Sequence, residues 1–235
     1  MYQSEYGWAL PIIAGLNINI KKVAEIGSRD ALDAIFLAEF YSATVDVFEP
    51  DPINIATIRK NISKSLQIQN LTLHDYALSN KNEIVKFLSV DRTKYDNPGV
   101  GSFYEIDFSN RSKKDPDFKR ESIQKPISVE AKCFDSLSIQ TPDLIAMDVQ
   151  GAELVVLEGF REKLKDVKVI ILETSFSENY IGGSTFQEVH DFLQKNNFLY
   201  VASDRFKNKL PRPNLIKKLL NRYEPDFNCL YVNNK

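Results

Sequence analysis

The stretch Val23-Ala24-Glu25-Ile26-Gly27-Ser28-Arg29-Asp30 is followed, about twenty residues on, by Val45-Asp46-Val47-Phe48-Glu49-Pro50-Asp51-Pro52, and this pairing constrains the fold most tightly. An apolar run enters a glycine turn, a helix-patterned segment follows, and a second apolar run ends in an acid. This is the order by which an open α/β sheet holds a nucleoside-bearing cofactor. Gly27 permits a tight turn beside a ligand, and Glu49 offers two oxygens to ribose hydroxyls. A dinucleotide fingerprint needs three glycines, G-x-G-x-x-G, to bring a helix N-terminus onto a pyrophosphate. Arg29 and Ala31 stand where further glycines are expected. A cofactor without a pyrophosphate, such as S-adenosylmethionine, therefore fits better than NAD. Glu25 favours it too, since a carboxylate suits an ammonium or sulfonium group.

The rest of the chain repeats this alternation. Strands are expected at Lys22 to Ile26, Thr44 to Phe48, Leu71 to His74, Leu144 to Met147, Val167 to Leu172, Phe198 to Ala202 and Cys229 to Val232. Asp30 is expected to cap a helix to about Tyr41, with Leu32, Ile35, Phe36 and Phe40 as its apolar stripe. Asp51 caps the next helix, with Pro52 in its first turn and Ile55, Ile58 and Ile62 on its face. A later helix, Ser184 to Lys195, carries Phe186, Val189, Phe192 and Leu193. Glu83 to Leu88 and Ile127 to Cys133 read as an added antiparallel pair. The polar stretch between them, Asp91 to Lys125, is long enough to be a functional loop.

The pattern implies an α/β fold, a mostly parallel sheet with helices on both faces and ligands at the C-terminal strand ends. One domain, 1–235, is expected, with an N-terminal cover (1–20), an inserted hairpin region (83–133) and a C-terminal excursion (203–226) holding a short helix near Asn214 to Arg222. The loops after the strands bring Glu25, Gly27, Glu49, Asp75, Asp148, Glu153 and Glu173 to one rim. So many acids suit a cationic cofactor or a metal and oppose a highly anionic substrate. The net charge of −2 argues against recruitment of nucleic acid or an acidic membrane, and the local basic run Lys217, Lys218 and Arg222 reads as a solvated helix face. Cys133 and Cys229 show no metal-ligand spacing and read as buried thiols. With neither a signal-peptide pattern nor a membrane-length apolar run, a cytoplasmic protein is expected.

The motifs Glu25-Ile26-Gly27-Ser28-Arg29-Asp30, Phe48-Glu49-Pro50, Tyr76-Ala77-Leu78-Ser79, Gly101-Ser102 and Asp148-Val149-Gln150-Gly151-Ala152-Glu153 occur in that order. Together they resemble the FkbM-type S-adenosylmethionine-dependent methyltransferases over roughly residues 20 to 202. The resemblance implies a class I methyltransferase (Rossmann-like) sheet whose last strand is antiparallel. It also implies O-methylation of a saccharide, glycan or small metabolite. By that resemblance Glu25, Gly27 and Ser28 line the methionine end of the cofactor, and Glu49 with Pro50 the ribose. Asp75, Tyr76 and Ala77 flank the adenine, and Asp148 lies near the transferred methyl group. Two departures stand out: Ala31 replaces the last glycine of the family's turn, and Gln150 replaces a common Glu.

Methyl transfer to oxygen needs an aligned hydroxyl and a group to take its proton. Asp148 is the first candidate base and His74 the second; His190, among apolar neighbours in a helix, reads as structural. Ser102, Tyr104, Glu153 and Glu173 are the candidates for contact with the acceptor. Asp148 and Glu173 could alternatively hold Mg²⁺, although no metal is expected. Tyr6 and Trp8 are expected to cover the cleft or form a homodimer contact. The alternatives in function are an NAD-type oxidoreductase and a non-catalytic module that keeps the cofactor fold.

Overall fold

The computed structural model describes residues 2, 4–111, 123–213 and 226–235. Among the described residues ten strands run in chain order. They are β1 (Lys22–Ile26), β2 (Thr44–Phe48), β3 (Leu71–His74), β4 (Ala77–Leu78), β5 (Glu83–Val90), β6 (Gln124–Lys132), β7 (Leu144–Met147), β8 (Val169–Thr174), β9 (Phe198–Ser203) and β10 (Phe227–Asn233). The helices are α1 (Leu10–Gly15), α2 (Leu32–Tyr41), α3 (Pro52–Ile62), α4 (Phe108–Arg111), α5 (Glu153–Phe160) and α6 (Phe186–Lys195). Seven strands form the main sheet in the order β3-β2-β1-β7-β8-β10-β9. The pairs β1–β2, β1–β7, β2–β3 and β7–β8 are parallel, and β10 is antiparallel to both β8 and β9. This is the class I methyltransferase arrangement that the family resemblance implied.

Alternate residues of a strand face opposite sides of a sheet, and both sides of this one are covered. Val23, Val45, Leu144 and Val169 pack with Leu10, Ile13, Leu37 and Ile58 from the first three helices. Ala24, Ile145, Ile170 and Cys229 pack with Val156, Leu157, Val189 and Leu193 from α5 and α6. The double burial explains why β7 and β8 read as continuous apolar runs rather than alternating ones. A smaller sheet, β4-β6-β5, carries the expected antiparallel pair, in register from Glu83↔Ala131 to Val90↔Gln124. It is tied to α5 at Gly159, where a Cβ would lie 2.0 Å from the Ser79 carbonyl oxygen.

The structure corrects the expected face of α2. Its buried residues are Asp33, Ala34, Leu37 and Ala38, while Phe40 is 51% exposed and stacks on Phe36. Two alanines let the helix approach the sheet more closely than aromatic rings would. The N-cap is also Ala31, at φ 61°, rather than Asp30, whose carboxylate accepts from the Leu32 amide at 3.1 Å. Asp51 caps α3 as expected, accepting from the Ile53 amide at 2.9 Å. Thr185 and Glu188 form a capping box on α6.

The stretch after β5 begins exposed at Arg92 to Lys94 and then turns inward. Ser102 bridges to Leu88, and Ile106 to Tyr180, so it is laid back against the main body. The short helix and basic run expected near 214–222 fall outside the described residues. Among the described residues no helix is long and apolar enough to cross a membrane.

Candidate active site

The ends of β1, β2, β3 and β7 are stitched together by backbone. The Gly27 amide donates to the Phe48 carbonyl at 2.9 Å, Glu49 to His74 at 3.2 Å, and Asp148 to Ile26 at 3.0 Å. Gly27 sits at φ +81°, and a Cβ there would lie 1.9 Å from the Asp148 carbonyl oxygen. Glycine is thus required both by the left-handed backbone and by the close approach of the β7 loop. Ala31, also left-handed, has a Cβ, and Ser28 Oγ takes its amide at 3.0 Å.

A cavity opens beside this turn, with about 790 Å³ of space counting its open mouth. Glu25, Gly27, Ser28, Glu49, Pro50, Ala77 and Asp148 all line it, as expected. Glu49 is buried, and its two oxygens accept from the amides of Arg29 (3.0 Å) and Asp51 (2.8 Å). Glu25 is also buried and accepts from the Ser28 hydroxyl. Ile26, Phe48, Leu78 and Val156 give the cavity an apolar wall. A second, open cleft of about 930 Å³ shares Glu5, Arg29, Gly99, Asp148 and Gln150 with the first. Asp148 therefore lies on the wall between two spaces.

The buried carboxyls of this rim share a direction. Burial pushes Glu49 and Glu153 up to about 7 and Asp148 up to about 6, and it raises Glu25 and Glu173 as well. From about pH 4.5 to about pH 7 the folded chain thus binds more protons than the unfolded one, so stability falls as pH rises. Glu49 and Glu153 each contribute on the order of 3 kcal/mol that is present at pH 4 and lost by neutral pH. The urea midpoint of the ligand-free protein is expected to drop between pH 5 and pH 7.5. A flat or rising midpoint would show these carboxyls ionised in the fold.

Other expected site residues lie elsewhere. His74 lines none of these spaces. Its Nε2 lies 2.8 Å from Asp46, its Nδ1 3.3 Å from the Tyr76 hydroxyl, and its ring stacks on Phe48. That network holds it to β2, away from Asp148. Asp75 points outward to Arg59 at 3.2 Å, and Tyr76 packs against Phe48 beneath Lys132, so of the expected adenine trio only Ala77 reaches the cavity. Ser102 is fully buried, donates to the Gln150 carbonyl at 2.7 Å and lines neither of these spaces. Tyr104 packs in a small cluster with Val90, Val100 and Tyr180. Glu153 turns back on its own helix start, accepting from the Gly151 amide (3.0 Å) and Ser184 Oγ (2.8 Å). Glu173 does reach the open cleft. His190 is buried, 3.1 Å from the Tyr231 hydroxyl. Among the described residues no group of three or more His, Cys, Asp or Glu is placed to hold a metal ion.

Several lining residues escaped the sequence reading. Tyr6 lines the cavity, as a cover would, whereas Trp8 packs into the core beside α2. The segment that carries Tyr6 is tethered by buried Asp33, which accepts from the Tyr2 hydroxyl, the Ser4 hydroxyl and the Glu5 amide. Glu5 pairs with Arg29 at 3.4 Å. An acid inside an apolar helix face was the available signal for Asp33. Asn54 and Phe87, which also line the cavity, carried no such signal, while Phe103 and Gln150 stood in stretches the sequence had marked without a place in the cavity.

Three comparisons bear on this geometry. Residues 23–200 match the Methyltransferase FkbM domain. A 2-O-methyltransferase, NoeI, from Sinorhizobium fredii (strain NBRC 101917 / NGR234) is 31% identical over 180 residues, covering 73% of this chain and 70% of the relative. The solved structure of Methyltransferase FkbM from Methylobacillus flagellatus KT superposes with a TM-score of 0.52 at 13% identity, over 91% of this chain and 44% of that one. The chain thus spans less than half the length of that solved relative. Magnesium protoporphyrin IX methyltransferase (ChlM) from Synechocystis PCC 6803, solved with bound SAM, gives 0.51 at 11% identity, over 96% of this chain and 76% of that one.

Proposed function

The chain belongs to the FkbM methyltransferase family, and from that premise we propose that it methylates a hydroxyl of a saccharide or other small polyhydroxylated metabolite, using S-adenosylmethionine. The observation that carries this reading is Asp148, a carboxylate on the wall shared by the cavity at the Gly27 turn and an open polar cleft. The residues present fit the cofactor. The Gly27 turn leaves a space that a Cβ would fill, buried Glu49 offers oxygens suited to a ribose diol, and Ile26, Phe48, Leu78 and Val156 suit an adenine ring. When bound, S-adenosylmethionine supplies a methyl group made electrophilic by its sulfonium. Glu25 places a buried carboxyl beside the turn. Asp148 takes the proton of the acceptor hydroxyl as its oxygen attacks.

The open cleft carries Glu5, Asp148, Glu173, Asp204 and Asp226 against Arg29 and Arg205, with Asn97, Gln150 and Asn228 among them. Carboxylates and amides hydrogen-bond hydroxyls well, while the acidic excess repels phosphates and uronates. The name of the 2-O-methyltransferase relative supports oxygen as the acceptor atom. The oxidoreductase and binding-module alternatives have no comparable support.

The test is calorimetric titration of S-adenosylhomocysteine beside NAD, followed by methyl transfer to a panel of neutral, amino and acidic sugars. S-adenosylhomocysteine is expected to bind and NAD not to. Glu49→Ala is expected to weaken binding about 100-fold, the loss of two hydrogen bonds to a charged group. Turnover is expected on neutral or amino sugars and not on uronates. Binding of NAD alone, or turnover confined to anionic acceptors, would overturn the reading.

A further inference from the structure

We propose that Gln150 is a positioning residue. Its side-chain amide, oriented by the Tyr180 hydroxyl, holds the Asp148 and Glu173 carboxylates apart and keeps Asp148 directed at the acceptor cleft. The inference rests on the reading of Asp148 as the base.

A primary amide has two N–H donors on nitrogen and lone pairs only on oxygen. Here Nε2 lies 2.6 Å from Asp148 Oδ1 and 2.9 Å from Glu173 Oε2, which uses one N–H for each carboxylate. Oε1 lies 2.5 Å from the Tyr180 hydroxyl. That hydroxyl also lies 3.3 Å from the Val100 carbonyl, but it has one hydrogen, and the shorter contact takes it. Rotating the amide would turn Oε1 toward two carboxylates. The Tyr180 hydroxyl thus fixes which end of the amide faces the acids.

The backbone beneath is equally determined. Gln150 has φ 52° and Gly151 φ 98°. Ser102 Oγ holds the Gln150 carbonyl at 2.7 Å, and the Ser184 amide holds that of Gly151 at 2.7 Å. Besides Glu173, the charged and titratable groups around Asp148 include Glu5 and Tyr6 from the N-terminal segment, Arg29 after β1, Glu153 on α5, Asp226 before β10, and Asp204 and Arg205 across the cleft. Most are acids, so without a neutral double donor between them Asp148 and Glu173 would share a proton. A shared proton leaves Asp148 a poor acceptor at neutral pH.

The test uses the full chain as Gln150→Leu, Gln150→Glu and Tyr180→Phe. It reads kcat, KM and the acid limb of the kcat–pH profile. Independently of turnover, it also reads the ¹³C-carboxyl titration of Asp148, assigned against Asp148→Asn. Gln150→Leu is expected to lower kcat by about tenfold or more and to move both the acid limb and the Asp148 midpoint upward. Gln150→Glu should move them further. Tyr180→Phe, which removes a single oxygen, should move them the same way by less and keeps the test alive if Gln150→Leu does not fold. Variants that lose activity with both midpoints unmoved would overturn the proposal, since only packing would then have changed. If the wild-type protein methylates no hydroxyl, the functional reading fails, while the carboxyl titration still decides the role of the amide.

Discussion

Replacing Gly27 with alanine is expected to abolish S-adenosylhomocysteine binding in calorimetry, a loss of about 100-fold or more, and to lower the melting temperature by several degrees. Two costs act together. The residue sits at φ +81°, where a side chain is strained, and the new Cβ would lie 1.9 Å from the Asp148 carbonyl oxygen and 2.9 Å from its carbon. Both neighbours are backbone, so no rotamer change relieves the contact. The β1 and β7 loops must separate, and that carries Glu25 and Ser28 away from Asp148. Gly15 gives the control. It lies in α1 with nothing within 4 Å of a Cβ, so Gly15→Ala should leave binding intact and stabilise slightly. Equal affinity for wild type and Gly27→Ala would place the cofactor elsewhere.

Asp148→Asn is expected to lower kcat by a factor of about 10² to 10⁴, the usual worth of a general base, while S-adenosylhomocysteine affinity stays within a few-fold. The exchange keeps shape and removes the proton acceptor. Because burial holds the Asp148 carboxyl at about 6, the wild-type rate should fall below roughly that pH, where the base becomes protonated. The Asn variant should lack this limb. Full activity in Asp148→Asn would transfer the role to another group at the cleft, with Glu173 the nearest in chemistry.

The frame of this protein was legible because its strands are buried on both faces. Val169 through Leu172 cannot be exposed anywhere without cost, and the glycine turn after Ile26 has few alternatives. The lining of the cavity at the Gly27 turn was legible for the same reason: Glu25, Gly27, Ser28 and Glu49 are fixed by where β1 and β2 end. Residues beyond the strand ends were not. Asp75 and Tyr76 follow β3 directly, yet one points to Arg59 and the other packs on Phe48. Their direction depends on the β4–β6 pairing, which is non-local. Ser102 looked like a substrate contact because hydroxyls in long loops often are. It is instead the buried prop of the Gln150 backbone. The apolar pattern of α2 misled because its inward face is built from Ala34, Leu37 and Ala38, and small residues leave a weak periodic signal.

The position of β10 also bears on how the protein is made. β10 follows both β8 and β9 in the chain yet is inserted between them, so both leave the ribosome before it does. Until it arrives, β8 has an unpaired edge and β9 has no neighbour through which to join the sheet. Four of the six residues of β8 are Val169, Ile170, Ile171 and Leu172, all fully buried in the finished fold. A nascent chain that has made β8 but not β10 thus displays an apolar edge strand, a template for pairing with other chains. Slower, cooler expression or chaperone co-production should raise the soluble yield more than any change to the finished surface.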